Sequence, residues 1–202
     1  MAEKDKNRIG EPFTHFVSLE VKSDLDHRSF MSQVEGFQAK TLSLFPNKQG
    51  KPAKMSSLHI TLATLSVQED EMAALIQAIS TSVDHFKRVY AGEDGIRCDF
   101  QGISTAGDII YLEMALGNNA CKTLRSILLT NGLSTFLTDQ NQTPHMTYMR
   151  RIILDDDEKS AVQAMMNGDK TSRVTLDTLS LRERKTGSTL KPPVKVFDLW
   201  RD

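Results

Sequence analysis

Two short segments join an imidazole to a hydroxyl at the same spacing: Leu58-His59-Ile60-Thr61-Leu62 and Pro144-His145-Met146-Thr147-Tyr148. Apart from the His and the Thr, each is apolar and reads as a strand, in which residues two apart share a face while the residue between points the other way. His59 and Thr61 therefore stand side by side, as do His145 and Thr147, and two such pairs could flank one phosphate. Histidine, with an ordinary pKa of about 6.5, can take a proton from an attacking hydroxyl or water, or give one to a departing oxygen, near neutral pH. The threonine hydroxyls can donate to nonbridging oxygens as charge develops on them. One imidazole would act neutral and the other protonated, and the sequence does not say which. No Asp or Glu occupies a motif position, so the pattern calls for no metal and no cofactor. A single His-x-Thr carries little weight; two, each in an apolar strand and one in each half of the chain, are hard to reach by chance.

Hydrophobic periodicity predicts the elements that must position these residues. A strand over 13–21 precedes an amphipathic helix over 24–44, and a Pro/Gly/Lys loop over 46–54 leads into the first motif strand, 57–65. A helix over about 69–90 follows, then strands near 96–104 and 109–116 around a turn at 106–108. Residues 118–137 read as a third helix and 143–154 as the second motif strand. Asp155 caps a short fourth helix whose acidic first turn suits the helix dipole, and strands near 173–183 and 194–200 close the chain. The order strand, helix, motif strand, helix occurs twice, a repeat of architecture without a repeat of residues. Two such lobes paired about a pseudo-twofold would bring both motif strands to one central groove.

The chain has 202 residues, 39% hydrophobic and 25% charged, with a net charge of -1. That is an ordinary globular composition, expected as a flexible tail over 1–12 and a single domain over 13–202. Near-neutral charge argues against an extended grip on duplex DNA, which needs many Lys and Arg contacts to phosphates. No apolar run approaches the roughly 20 residues of a membrane-crossing helix. Cys98 and Cys121 have no metal-like spacing and follow no secretory leader, so a reduced compartment is expected, the cytoplasm or the nucleus, with the protein monomeric.

The two motifs, with the opening FTHFVSLEV, the context LHITLATL and the segment PHMTYMRR, resemble the two-histidine (2H) phosphoesterase superfamily, and within it the central domain of A-kinase anchoring proteins. The resemblance spans nearly the whole chain. It implies an α+β fold with two pseudo-symmetric lobes of antiparallel sheet and outer helices around a central groove. It also implies a metal-free site acting on phosphodiesters or cyclic phosphates, often of RNA, with His59 and His145 catalytic and Thr61 and Thr147 binding phosphate. The chain ends on the strand-like VKVFDLWRD rather than a trailing amphipathic helix, so kinase anchoring is not carried over. The expectation is a metal-independent phosphodiesterase for RNA or oligonucleotides, 2′-5′ oligoadenylate foremost. The alternatives are a 2′,3′-cyclic nucleotide phosphodiesterase, a non-catalytic module for AMP-like or RNA-end phosphates, and a scaffold in which the histidines are incidental.

Alternation nominates further groove residues. With Val17, Leu19 and Val21 in the core, Phe16, Ser18 and Glu20 face the groove; with Ile110, Leu112 and Met114 in the core, Tyr111 and Glu113 do. Phe16 and Tyr111 could contact a substrate base, although aromatic residues more often supply core area. Arg151 shares the face of His145 and Thr147 if that strand stays regular, and could reach a phosphate. Lys48, Lys51 and Lys54 could steer a nucleotide, although a Lys-rich loop is commonly just a soluble one. His15 falls on the core side, His27 at a helix start and His85 within a helix, none with motif geometry, and both cysteines read as buried thiols.

Overall fold

A computed structural model of the chain describes residues 8–21, 27–140, 143–165, 171–184 and 192–200. The first half contains β1 (His15–Glu20), α1 (Arg28–Leu44), β2 (Lys51–Pro52), β3 (His59–Leu65) and α2 (Met72–Val89). The second contains β4 (Ile96–Ala106), β5 (Ile109–Leu116), α3 (Asn118–Thr130), β6 (His145–Arg150) and α4 (Asp156–Ala164), followed by β7 (Val174–Leu176), β8 (Thr178–Glu183) and β9 (Lys195–Asp198). Among the described residues the strands form one antiparallel sheet in the order β7-β4-β5-β6-β3-β1-β8-β9, with β2 also on β6. The expected two lobes are the halves of this sheet, and they join where the motif strands β3 and β6 pair. A single residue separates β7 from β8 although they lie on opposite sides of the sheet, so the two sides must approach each other. The sheet is accordingly curled into a half-barrel, and the fold is α+β.

Alternation along the strands decides which face carries the core. Val17, Leu19, Ile60, Leu62, Ile110, Leu112 and Met146 are fully buried, under Phe30 and Val34 of α1, Leu75 and Ile79 of α2, and Leu124 and Leu128 of α3. The helices thus occupy one face, and the residues between the core positions line the other. Two polar ties fix α1 to the second motif strand from below. Gln38 Nε2 donates to the carbonyls of Ala53 and Tyr148, and Thr41 Oγ1 lies 3.2 Å from the buried Tyr148 hydroxyl, whose pKa burial raises to about 12.

The structure departs from the sequence expectations at breaks in the backbone. The third helix ends at Thr130, because Gly132 takes φ 106°, a conformation open to glycine, and residues 133–136 continue as a 3₁₀ turn. The second motif strand stops at Arg150, with Arg151 in the left-handed region at φ 57°. The strand expected over 173–183 divides at Asp177 into β7 on β4 and β8 on β1. Asp155 caps α4 as expected, in a capping box with Glu158. Of the flexible tail expected over 1–12, residues 1–7 lie outside the described residues, and Arg8 and Gly10 are held in place. Arg8 is 6% exposed, donating to the Ser66 carbonyl and pairing with Glu71, and Gly10 N–H donates to Thr138 O. A buried guanidinium is tolerated because its donors are met.

The division of faces gives a stability test. Ile60→Ala should cost about 2–5 kcal/mol in urea unfolding, the range for truncating a packed aliphatic side chain. Thr61→Ala, one residue on but facing the groove, should stay within about 1 kcal/mol of the unaltered protein. Equal losses would contradict the assignment of faces.

Candidate functional site

The motif strands meet in antiparallel register, with Ile60 opposite Met146 and Thr61 opposite His145; one step further sets His59 opposite Thr147. Each imidazole therefore faces the hydroxyl of the other motif, and a pseudo-twofold runs through the Ile60–Met146 pair. Directly opposed residues of antiparallel strands project to the same face with Cβ atoms about 4.5–5.5 Å apart. Ile60 and Met146 are fully buried beneath, while His59, Thr61, His145 and Thr147 are partly exposed. The four residues expected from sequence are brought together as one polar patch on the groove floor.

Both imidazoles are anchored alike. His59 Nδ1 lies 2.7 Å from the Ser57 carbonyl oxygen, and His145 Nδ1 lies 2.8 Å from that of Thr143. A carbonyl only accepts, so Nδ1 carries the proton in each ring and Nε2 is left for a ligand. Among the described residues neither Thr61 nor Thr147 spends its hydroxyl on a protein partner, which leaves both available to phosphate oxygens. Burial at the groove floor lowers the pKa of His59 from its ordinary value; the Ser57 carbonyl and Glu20 oppose this, while Arg150 and Arg182 add to it. His59 is thus biased toward its neutral, proton-accepting form.

The flanking strands wall the patch. Phe16 stacks on His59 with ring centroids 5.3 Å apart, and Tyr111 lies 4.9 Å from His145, tilted 50°. Both aromatics nominated from sequence are on the groove face, each against one motif histidine. Glu20 stands opposite His59 in register and is held by Arg182, Nε to Oε1 and Nη2 to Oε2 both at 2.9 Å, while Ser18 Oγ donates to it at 2.8 Å. Arg125 of α3 joins the motifs from the side. Its Nε donates to the Leu62 carbonyl and its Nη2 to the Gln140 and Asp139 carbonyls, tying β3 to the segment that leads into β6.

Arg151 is not part of this face. The pairing of β5 with β6 skips from Ile110↔Met149 to Tyr111↔Thr147, a bulge that leaves Tyr148 as the extra residue and moves the alternation on by one. Met149 is buried, Arg150 stands opposite Ile109 on the groove face, and Arg151 begins the turn out of the sheet. The first motif has the same feature at Leu62, between Val17↔Ala63 and Ser18↔Thr61. Sequence reasoning missed Arg150, because nothing in an apolar run marks a bulge. It also missed Arg182, which the alternation of Leu179 and Leu181 with Ser180 and Arg182 could have revealed.

The remaining histidines, both cysteines and Lys48 fall outside the patch. His15 lies at the start of β1 opposite Leu65, His27 is buried before α1, His85 is half-buried on α2, and Cys98 and Cys121 are fully buried. Lys48 is committed to Glu158 and the Ile153 carbonyl. A separate cavity of about 640 Å³, lined by Tyr90, Arg97, Asn118, Arg173 and Trp200 among others, touches neither motif. Among the described residues no three His, Cys, Asp or Glu side chains gather as metal ligands, and no helix is long and apolar enough to cross a membrane.

Known proteins with this architecture put the geometry in context. E. coli LigT complexed with 3′-AMP superposes with a TM-score of 0.60 at 18% identity over 95% of this chain and 100% of that one. LigT complexed with NADP+ gives 0.63 at 17% identity over 95% and 100%. TT0787 of Thermus thermophilus gives 0.56 at 15% identity over 92% and 97%. These identities speak to the fold alone. No curated protein matches the sequence. The family model for the AKAP7 2′5′ RNA ligase-like domain matches residues 13–181, a span holding both motif strands and nearly every groove residue described above, Arg182 lying one position beyond it. The chain belongs to that family, within the 2H phosphoesterase superfamily.

Proposed function

We propose that the protein is a metal-independent phosphodiesterase of short RNA, cleaving 2′-5′ oligoadenylate, with His59 as general base and His145 as general acid. Superfamily membership supports a phosphodiesterase-like activity. The observation that supports the finer reading is the crossed pairing of the motifs, with two imidazoles each anchored through Nδ1 and two uncommitted hydroxyls on one face, an arrangement in which all four could meet one phosphate. At a 2′-5′ linkage the adjacent 3′-hydroxyl attacks phosphorus and its proton passes to His59 Nε2. The bond from phosphorus to O5′ breaks as His145 supplies a proton to that oxygen, leaving a 2′,3′-cyclic phosphate and a 5′-hydroxyl. Thr61 and Thr147 donate to the nonbridging oxygens. The lowered pKa of His59 supports its role as base, since it stays neutral at pH 7, and His145 is left as the acid. Phe16 and Tyr111, each against one imidazole, are placed to pack on the flanking bases. The LigT structures complexed with 3′-AMP, ATP and NADP+ support a nucleotide ligand, and the name of the matching family supports the 2′-5′ linkage. No step needs a metal ion.

Purified protein should turn over 2′-5′ oligoadenylate. His59→Ala and His145→Ala should each lower kcat by about 10²–10⁴-fold, the usual worth of one acid–base group. EDTA should leave the rate unchanged. Turnover of 2′,3′-cyclic AMP in preference to the oligonucleotide would redirect the substrate assignment; binding without turnover, or loss on chelation, would contradict the mechanism.

The pH dependence has a defined sign. Because burial and two arginines hold the His59 pKa down, the acid limb of kcat/KM should fall below pH 6.5. Arg150→Gln removes one of those charges and should move that limb to higher pH. Folding shows the same linkage. Below pH 6.5 the unfolded chain binds a proton at His59 before the folded one does, so stability should decline as pH falls from 6.5 to the lowered value and then level off. An acid limb unmoved in Arg150→Gln would contradict the electrostatic coupling.

A further inference from the structure

We propose that Lys51, Lys54 and Arg150 form a cationic ledge for phosphates beyond the scissile one, so that the substrate is a single-stranded oligonucleotide rather than a mononucleotide; this rests on the phosphodiesterase reading above. β2 and β3 run end to end along one edge of β6. Lys51↔Arg150 and Pro52↔Met149 pair, Ala53 N–H donates to Tyr148 O, and the edge resumes at Ile60↔Met146. Residues 54–58 leave this line as an excursion containing a 3₁₀ turn and return at His59. The bulge at Tyr148 puts Arg150 on the groove face, and Lys51, directly opposite it, projects to the same face. Lys54 opens the excursion, where Ser57 N–H and Ser57 Oγ both donate to its carbonyl at 2.8 Å and fix the turn.

All three cations are exposed, and among the described residues none meets a carboxylate. Their neighbours differ: Lys48 is neutralised by Glu158 and Arg182 by Glu20. In a chain with a net charge of -1, this cluster is a local feature of the rim beside His59 rather than general basicity. Arg150 stands where the ledge meets the centre, close enough for its charge to act on His59, and Lys51 continues the positive surface outward, with Lys54 three residues further along the chain at the start of the excursion. A 2′,3′-cyclic mononucleotide has one phosphate, already met by Thr61 and Thr147, and offers the outer lysines nothing. An oligonucleotide seated on the same centre brings its next phosphates to them. Three cations suit a short single strand and are too few for the many contacts that hold a duplex.

The test compares 2′-5′ diadenylate with 2′-5′ tetraadenylate in the unaltered protein and in a Lys51→Gln/Lys54→Gln double variant, both positions being exposed. The tetramer should have the lower KM in the unaltered protein, and the double variant should lose that advantage. Binding of fluorescein-labelled tetramer to the His145→Ala protein, titrated with salt, gives a readout independent of turnover. Adding the two lysine substitutions should flatten the dependence of log affinity on log salt by about 1.4, from roughly 0.7 per single-strand phosphate contact. Equal KM for the two lengths, or an unchanged salt slope, overturns the ledge while leaving the phosphodiesterase intact. Absence of turnover overturns the phosphodiesterase reading instead, and the salt titration still decides the ledge.

Discussion

The short antiparallel junction of β3 with β6 is the contact on which everything else in this molecule turns. Through Ile60↔Met146 and Thr61↔His145 it joins the two halves of the sheet, buries one apolar pair among the helices, and sets two imidazoles and two hydroxyls on the opposite face. Because side chains on a strand repeat every second residue, a slip of one position would send the histidines into the core and Ile60 and Met146 into the groove. The core therefore enforces the register of the polar patch. Arg125 reinforces it by capping the Leu62 carbonyl just past the paired stretch, and Gln38 does so from beneath through the Tyr148 carbonyl.

Symmetry of the backbone and asymmetry of the charges have different consequences. Both motifs share the Nδ1-to-carbonyl anchor and a bulge directly after the Thr, so each half presents its imidazole in the same way. The surroundings are not the same. Glu20, opposite His59, is neutralised by Arg182, and Arg150 adds a further positive charge near that ring. Acid–base catalysis needs one proton acceptor and one donor, so two identical half-sites would serve it poorly. Charges on the flanking strands and at the end of β6 break the equivalence that the paired motifs create.

Much of this was legible in the chain. The His-x-Thr spacing, the apolar residues around it and the repeated order of elements suffice to place His59, Thr61, His145 and Thr147 on one surface, and Asp155 with Glu158 marks the start of α4. The strand register beyond Thr147 was not legible. Arg150 and Arg151 differ only in position, and the bulge at Tyr148 that selects Arg150 arises from pairing with β5, a long-range contact with no local signature. The division of 173–183 into strands on opposite sides of the sheet has the same origin, since the curl of the whole sheet decides which neighbours those residues meet. Buried Arg8 escaped for a related reason: its partners Ser66 and Glu71 are remote in sequence, and a polar opening segment reads locally as solvated.

The sharing of one phosphate by both imidazoles can be observed directly by nitrogen-15 NMR of the histidine side chains during a titration with 3′-AMP. In the free protein both neutral rings should show the proton on Nδ1, and on binding the Nε2 signals of His59 and His145 should shift together with a single dissociation constant. A shift confined to one ring, or a neutral ring of either histidine with its proton on Nε2 instead of Nδ1, would contradict the shared site.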